Sequence, residues 1–163
     1  MYAGAYDGEI ADVCIKTFYL DENFNICEIE GNEHEFSYRH SFFTDKNYII
    51  LKSVLQLKKG DKTEIKEKMA ELIERRNSKQ PLNFPNAGST FKRPEGYFAG
   101  KLIEDCGLKG YHIGDAYVSE KHSGFIVNKN AATAKDVCEL ISYVQKKVKE
   151  EFQVDLEPEI KFI

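Results

Sequence analysis

Lys79-Gln80-Pro81-Leu82-Asn83-Phe84-Pro85-Asn86-Ala87-Gly88-Ser89-Thr90-Phe91-Lys92-Arg93-Pro94 is the stretch on which the organisation of this chain turns. Pro81, Pro85 and Pro94 stiffen it, and Gly88 opens a backbone conformation closed to other residues. Ser89 is thereby presented from a constrained turn beside the two cations Lys92 and Arg93. A hydroxyl so placed suits a proton donor facing an anionic ligand, although the residues alone favour a Pro-rich interdomain loop with an incidental serine. Residues 80 to 96 are rich in Pro, Asn and Gly, and a domain boundary is placed at their start.

Upstream, residues 11 to 57 read as antiparallel strands. Ala11, Val13, Ile15, Thr17 and Tyr19 alternate with period two, and Asp21, Glu22 and Asn23 mark a turn. Phe24 to Glu30 forms a second strand that meets Gly31-Asn32, a pair of the type II′ hairpin kind. After Phe36 to Ser41, the run Tyr48 to Leu57 is almost continuously Ile, Leu and Val, which predicts a central strand covered on both faces. Lys59-Gly60 ends the sheet, and Asp61 with Glu64 starts a helix whose apolar stripe is Ile65, Met69, Leu72 and Ile73.

Downstream, Tyr97 to Cys106 reads as a short helix closed by Gly107, and Tyr117 to Val118 and Phe125 to Asn128 as short strands. Thr133 and Asp136 start a long helix with a buried face of Val137, Leu140, Ile141, Val144, Val148 and Phe152. A last strand, Leu156 to Phe162, buries Leu156, Ile160 and Phe162 and leaves Glu157, Glu159 and Lys161 on its other side. The fold expected is α+β.

The 163 residues, 42% hydrophobic and 31% charged, suffice to bury a core. A net charge of -4 provides no uniform positive field, which argues against a nucleic-acid coat or a protein built for anionic membranes. The longest apolar stretch, Tyr48 to Leu57, is about half of what a bilayer span requires, and Lys52 interrupts it. Met1 to Ile10 has neither the basic start nor the apolar core of a signal peptide. Cys14, Cys27, Cys106 and Cys138 stand far apart with no C-x-x-C pair, so no metal site is expected, nor a dense disulfide framework, and a reducing cytoplasm is the simplest setting.

Four segments have compositions that packing alone would not choose: Gly4-Ala5-Tyr6-x-Gly8-Glu9-Ile10, Tyr38-Arg39-x-Ser41, the Lys79 to Pro94 loop, and Leu156-x-x-Glu159-Ile160-x-x-Ile163. In this order they resemble the motifs of the UDP-N-acetylenolpyruvoylglucosamine reductases (MurB), in the shorter type II form, and the resemblance covers essentially the whole chain. It implies that residues 1 to 79 are the C-terminal part of an antiparallel-sheet FAD-binding domain and residues 80 to 163 a small α+β domain that binds a UDP-sugar. The implied reaction passes a hydride from NADPH to FAD and on to C3 of an enolpyruvyl group, in the synthesis of peptidoglycan precursors by a bacterium.

By motif, Ser89 corresponds to the general acid that protonates C2, Arg39 to the catalytic arginine and Glu159 to the catalytic glutamate. Glu157 is the competing carboxylate. Gly4, Ala5, Tyr6, Gly8 and Ile10 correspond to a flavin-proximal segment, in which Asp7 stands where the family has a small residue. Lys79 and Arg93 are expected at the substrate, plausible partners for its phosphates. Tyr38, Asn86, Lys121 and His122 are further expected substrate contacts. Without the motifs, Arg39 reads equally as a surface cation, Glu159 as a solvent-facing carboxylate and Tyr38 as core. The family's enzymes are roughly twice this length and carry a pyrophosphate-cradling loop in a first half that nothing here resembles, so FAD binding by this chain alone is expected to be weak or absent. The missing N-terminal half of the flavin domain is then an implied partner. A non-catalytic UDP-sugar binding module without flavin is the alternative function, and a plain interaction domain a third.

Overall fold

The structure is a computed structural model in which residues 4–6 and 8–161 are described. The chain divides into two compact units, Met1–Met69 and Ala70–Ile163. Asp7, Phe162 and Ile163 lie outside the described residues, so the readings of Asp7 as a departure from the motif and of Phe162 as core are not addressed.

The first unit opens with a two-stranded hairpin, β1 (Gly4–Ala5) and β2 (Gly8–Glu9), followed by a 3-10 turn at Ile10–Asp12. Its main sheet has the order β4-β3-β5, all antiparallel, from β3 (Cys14–Leu20), β4 (Ile26–Glu30) and β5 (Ile49–Leu55). The alternation expected from Ala11 onward begins only at Cys14. Ile15 is an extra residue at a register shift and is exposed, whereas Thr17 and Tyr19 point into the unit.

Gly31-Asn32 does not make a two-residue hairpin. Gly31 takes a positive φ and opens a 3-10 turn, Gly31–His34, that carries the His34 ring under the sheet. There His34 is 1% exposed. Its Nδ1 lies 2.9 Å from the Gly31 carbonyl, which can only accept, so in the neutral ring Nε2 accepts from the Thr17 hydroxyl at 2.9 Å. Thr17 continues this network to Ser53. Tyr19 packs against Phe42, Phe43 and Tyr48, and burial pushes its phenol above the usual range.

β5 departs most from expectation. It is an edge strand, and each of its seven residues is exposed. Its aliphatic run matches the composition of a covered strand, but among the described residues nothing covers it.

Helix α1 (Lys62–Lys79) begins where Asp61 Oδ1 accepts the N–H groups of Thr63 and Glu64, the cap the sequence implied. Those same bonds hold the Asp61 carboxyl below its ordinary range. The apolar stripe is present but unburied, with Ile65, Met69 and Ile73 all exposed.

In the second unit a four-stranded antiparallel sheet of order β6-β9-β8-β7 comprises β6 (Asn86–Ser89), β7 (His112–Ile113), β8 (Ala116–Val118) and β9 (Phe125–Asn128). Helices α2 (Ala99–Asp105) and α3 (Ala134–Phe152) complete it. The core joins Leu102 and Ile103 of α2, Val118 and Ile126 of the sheet, and Leu140, Ile141, Val144 and Val148 of α3. Thr133 and Asp136 form the reciprocal cap at the start of α3. Gly114 turns β7 into β8 at φ +53, and a Cβ there would lie 2.7 Å from Asp136 Cγ, so only glycine fits.

The expected strand over Leu156 to Phe162 is reduced to a single bridge, Phe91 with Pro158, although Leu156 is buried and Ile160 packs against the core as expected. The two bonds that flank the bridge, Lys92 to Glu157 and Glu159 to Thr90, do not use the Pro158 nitrogen, so the proline is accommodated. Among the described residues no helix is long and apolar enough to cross a membrane, and no cluster of His, Cys, Asp and Glu could hold a metal ion. The four cysteines are free thiols.

Candidate active site

Ser89 closes β6, exposed, opposite Phe125 of β9. Gly88 precedes it at φ +85, the left-handed backbone that the sequence suggested for this glycine. Asn86 builds the turn: its Nδ2 donates to the carbonyls of Pro81 (3.2 Å) and Phe84 (2.9 Å), and its Oδ1 accepts from the Gly88 N–H (3.0 Å). Both ends of this amide are therefore occupied within the loop.

Thr90, the next residue, is clamped from two sides. Its N–H donates to the Gly124 carbonyl (2.8 Å), its hydroxyl accepts from the Ile126 N–H (3.1 Å), and its own carbonyl accepts from the Glu159 N–H (2.8 Å). Lys92 N–H reaches the Glu157 carbonyl at 2.8 Å, closing the bridge between Phe91 and Pro158. This ladder sets the Glu159 backbone against Thr90, the residue after Ser89, across a wide gap in sequence. Nothing in residue spacing identified Thr90 as the link.

The two candidate carboxylates fall into different environments. Glu157 is exposed and ion-paired with Lys92, whereas Glu159 is half-buried beside Thr90. One of the two cations flanking Ser89 is thus already neutralised. The other, Arg93, donates through Nε to the Tyr97 carbonyl (3.3 Å) and lies over the Phe98 ring, 4.0 Å from its centroid.

Lys121 and His122 sit on the β8–β9 connection, where Ser119 Oγ accepts both their N–H groups. Lys121 Nζ donates to the Asn77 carbonyl at 2.6 Å, which ties this connection to the end of α1, where Lys79 is exposed. The His122 ring packs on Gly100 and Gly124, and its Nδ1 accepts from the Gly124 N–H, so the neutral ring carries its proton on Nε2. Beside Lys121 lies a pocket of about 470 Å³ lined by Gln80, Asn83, Phe84, Glu120 and Lys129 among others. A second, more apolar cavity of about 310 Å³ lies behind β6, bounded by Asn86, Ala87, Val127 and Ile160.

Arg39 belongs to the first unit. Ser37 and His40 exchange backbone hydrogen bonds, and Tyr38 and Arg39 are the two residues of the turn between them. Arg39 holds φ +58, an unfavourable region for a long side chain, and its guanidinium lies 5.2 Å from the Tyr38 ring centroid. Tyr38 is 60% exposed, which removes the reading of that residue as core. In the β1–β2 hairpin Gly4, Ala5 and Gly8 are exposed and Tyr6 takes φ +52. Ile10 is the first residue of the 3-10 turn that follows.

Residues 80–163 match the family described as UDP-N-acetylenolpyruvoylglucosamine reductase, C-terminal domain. The chain belongs to that family. A UDP-N-acetylenolpyruvoylglucosamine reductase of Caldanaerobacter subterraneus subsp. tengcongensis is 58% identical over 163 residues, covering 100% of this chain and 54% of that protein. One from Clostridium perfringens is 55% identical, also over 100% of this chain and 54% of the relative. The crystal structure of MurB from Thermus caldophilus superposes with a TM-score of 0.79 at 38% identity, covering 96% of this chain and 56% of that one. The chain spans about half the length of the curated MurB relatives it matches.

Proposed function

We propose that this chain is the substrate-facing part of a reductase that converts UDP-N-acetylglucosamine enolpyruvate to UDP-N-acetylmuramate during peptidoglycan synthesis. The observation that supports the reading is the backbone bond joining Glu159 to Thr90, the residue after Ser89, in a chain of this family. Ser89 is exposed and Glu159 half-buried.

FAD, replenished by NADPH, supplies the hydride to C3 when bound. Gly4, Ala5, Tyr6, Gly8 and Ile10 fit one edge of a flavin site: the hairpin backbone is exposed, and a Cβ on Gly8 would meet only the Ala5 carbonyl oxygen, at 3.8 Å. They do not amount to a pyrophosphate cradle, so the 163-residue chain alone is expected to purify without stoichiometric flavin.

The chain's own residues perform the remaining steps. Arg39 hydrogen-bonds the substrate carboxylate as negative charge spreads into it, and Glu159 adds a second hydrogen bond when it carries a proton. Ser89 Oγ then gives its proton to C2. A serine is a weak acid, but an electron-rich carbon is a strong base and a neighbouring cation stabilises the alkoxide as it forms. Lys79 and Arg93 hold the diphosphate, with Tyr38, Lys121 and His122 contributing to the nucleotide-sugar site. Asn86 serves the site by shaping the loop that presents Ser89.

The test is Ser89→Ala in the complete enzyme. Substrate binding and hydride acceptance should persist, while turnover falls on the order of a hundredfold or more. Equal loss of binding and turnover would reduce Ser89 to a structural loop residue.

A further inference from the structure

The turn that carries Arg39 holds two features that work against stability. It runs from Ser37 to His40, whose backbones exchange bonds of 3.0 and 3.3 Å, and Arg39 occupies its third position at φ +58. That place in a four-residue turn favours glycine, and an arginine there is held against its backbone preference. The second feature is Ser41. It is 2% exposed, and among the described residues its Oγ has no hydrogen-bond partner. A hydroxyl shut away from water and left unpaired is destabilising, and alanine would remove that penalty with almost no loss of packing.

The backbone of Ser41 is by contrast fully engaged. Its N–H donates to Thr44 Oγ1 at 2.9 Å, and its carbonyl accepts from the Thr44 N–H at 2.8 Å. The next residue, Phe42, donates its N–H at 2.8 Å to the carbonyl of His34, whose ring is anchored beneath the sheet. Ser41 Oγ is therefore an acceptor fixed in place. Arg39 lies two residues before it, and the Nε of that guanidinium is shielded from water as well. An arginine that grips a carboxylate end-on does so through its two terminal nitrogens, which leaves Nε–H directed back toward its own main chain.

We infer that Ser41 is a positioning residue whose Oγ accepts the Arg39 Nε–H when the guanidinium fork is turned onto a carboxylate, so that the plane of the fork is fixed. The inference deepens the proposed function and rests on the role given there to Arg39. Stability given up at Ser41 in the free protein is recovered when a ligand aligns Arg39.

In the 163-residue chain, S41A should leave the urea midpoint unchanged or raise it, whereas removal of a structural hydroxyl would lower it. In the complete enzyme, S41A should reduce kcat about ten- to a hundredfold, the effect of one lost hydrogen bond to a charged group, with a smaller change in KM. S41C fills the same space with a poor acceptor and should match S41A. R39K keeps the cation but lacks Nε–H, so adding S41A to R39K should bring no further loss. A measurement without turnover completes the test. With the complete protein saturated with UDP-N-acetylglucosamine enolpyruvate and no NADPH present, the Arg39 Nε–H, assigned by NMR from its absence in R39K, should exchange slowly with solvent. In S41A it should exchange at least about tenfold faster. A lowered midpoint in S41A, activity restored by S41C, additive losses when R39K and S41A are combined, or Nε–H exchange indifferent to S41A would overturn the inference. A complete protein that binds this ligand but never reduces it would defeat the proposed function, and the exchange rates would still decide the role of Ser41.

Discussion

Replacing Asn86 with alanine removes three hydrogen bonds at once: those to the carbonyls of Pro81 and Phe84 and that from the Gly88 N–H. At roughly 1 kcal/mol net for each, the sum is about 3 kcal/mol. The side chain is half-buried, so water can reach part of what is vacated, and the expected loss falls to about 1–2 kcal/mol. Asn86→Asp keeps the acceptor for Gly88 but sets a carboxylate against two carbonyl oxygens, and it should be at least as damaging as alanine. Urea unfolding of the 163-residue chain, followed by far-UV circular dichroism, reads both variants. In the complete enzyme the alanine variant should lose kcat with little change in KM, because the loop that aims Ser89 slackens while the cations that hold substrate remain. An unchanged unfolding midpoint for the alanine variant, or an aspartate variant more stable than it, would refute the account of the loop.

Lys79→Ala and Arg93→Ala should each weaken binding of UDP-N-acetylglucosamine by the 163-residue chain and reduce its sensitivity to added salt, as seen by calorimetric titration; indifference to both would move the diphosphate elsewhere. Thr133→Ala should cost about 1 kcal/mol in thermal or urea unfolding through loss of the α3 cap. The Asp136 carboxyl is held below its ordinary range chiefly by the Thr133 N–H, so its stabilising effect is complete above that range and is lost as pH falls through the lowered value. Asp136→Asn should therefore flatten the acid limb of the stability profile, and a change confined to neutral or alkaline pH would contradict the assignment. Leu140→Ala, at a fully buried position, should cost about 2–5 kcal/mol and speed amide exchange across α3.

The second unit was the more legible in sequence. α3 announces itself because its cap and its apolar stripe are both local, and the structure buries Leu140, Ile141, Val144 and Val148 as the stripe requires. β9 occupies the residues expected of it, and α2 begins two residues later than expected and ends at the glycine foreseen. β6 was hidden inside a Pro-rich loop because two of its four residues are Ala and Gly, which carry no strand signature. In the first unit, periodicity reported what each side chain prefers but not whether a partner is present to satisfy it. β5 and the stripe of α1 have the composition of covered elements and are bare. At Gly31-Asn32 the sequence offered a tight hairpin, but burying His34 under the sheet required a longer turn. Ser89 is a candidate from loop chemistry as well as resemblance, and Glu159 from resemblance alone. What separates Glu159 from Glu157 is a pairing between distant segments, which no local pattern encodes.

That pairing has a consequence for how the chain tolerates insertions and deletions. Phe91 and Pro158 face each other at a position where neither donates to the other, so the missing N–H of Pro158 costs nothing there, while the flanking bonds, Lys92 to Glu157 and Glu159 to Thr90, set the frame. Side chains along this seam can vary without shifting the frame. Adding or removing one residue between Leu156 and Glu159 is different: it turns Glu159 to the opposite side and presents its neighbour in its place. The connection at Gln153 to Asp155, just before the seam, where Gln153 and Asp155 are exposed and Val154 packs against the core, is free of that register constraint. Length polymorphism among functional variants should therefore collect on one side of Leu156 and stop there.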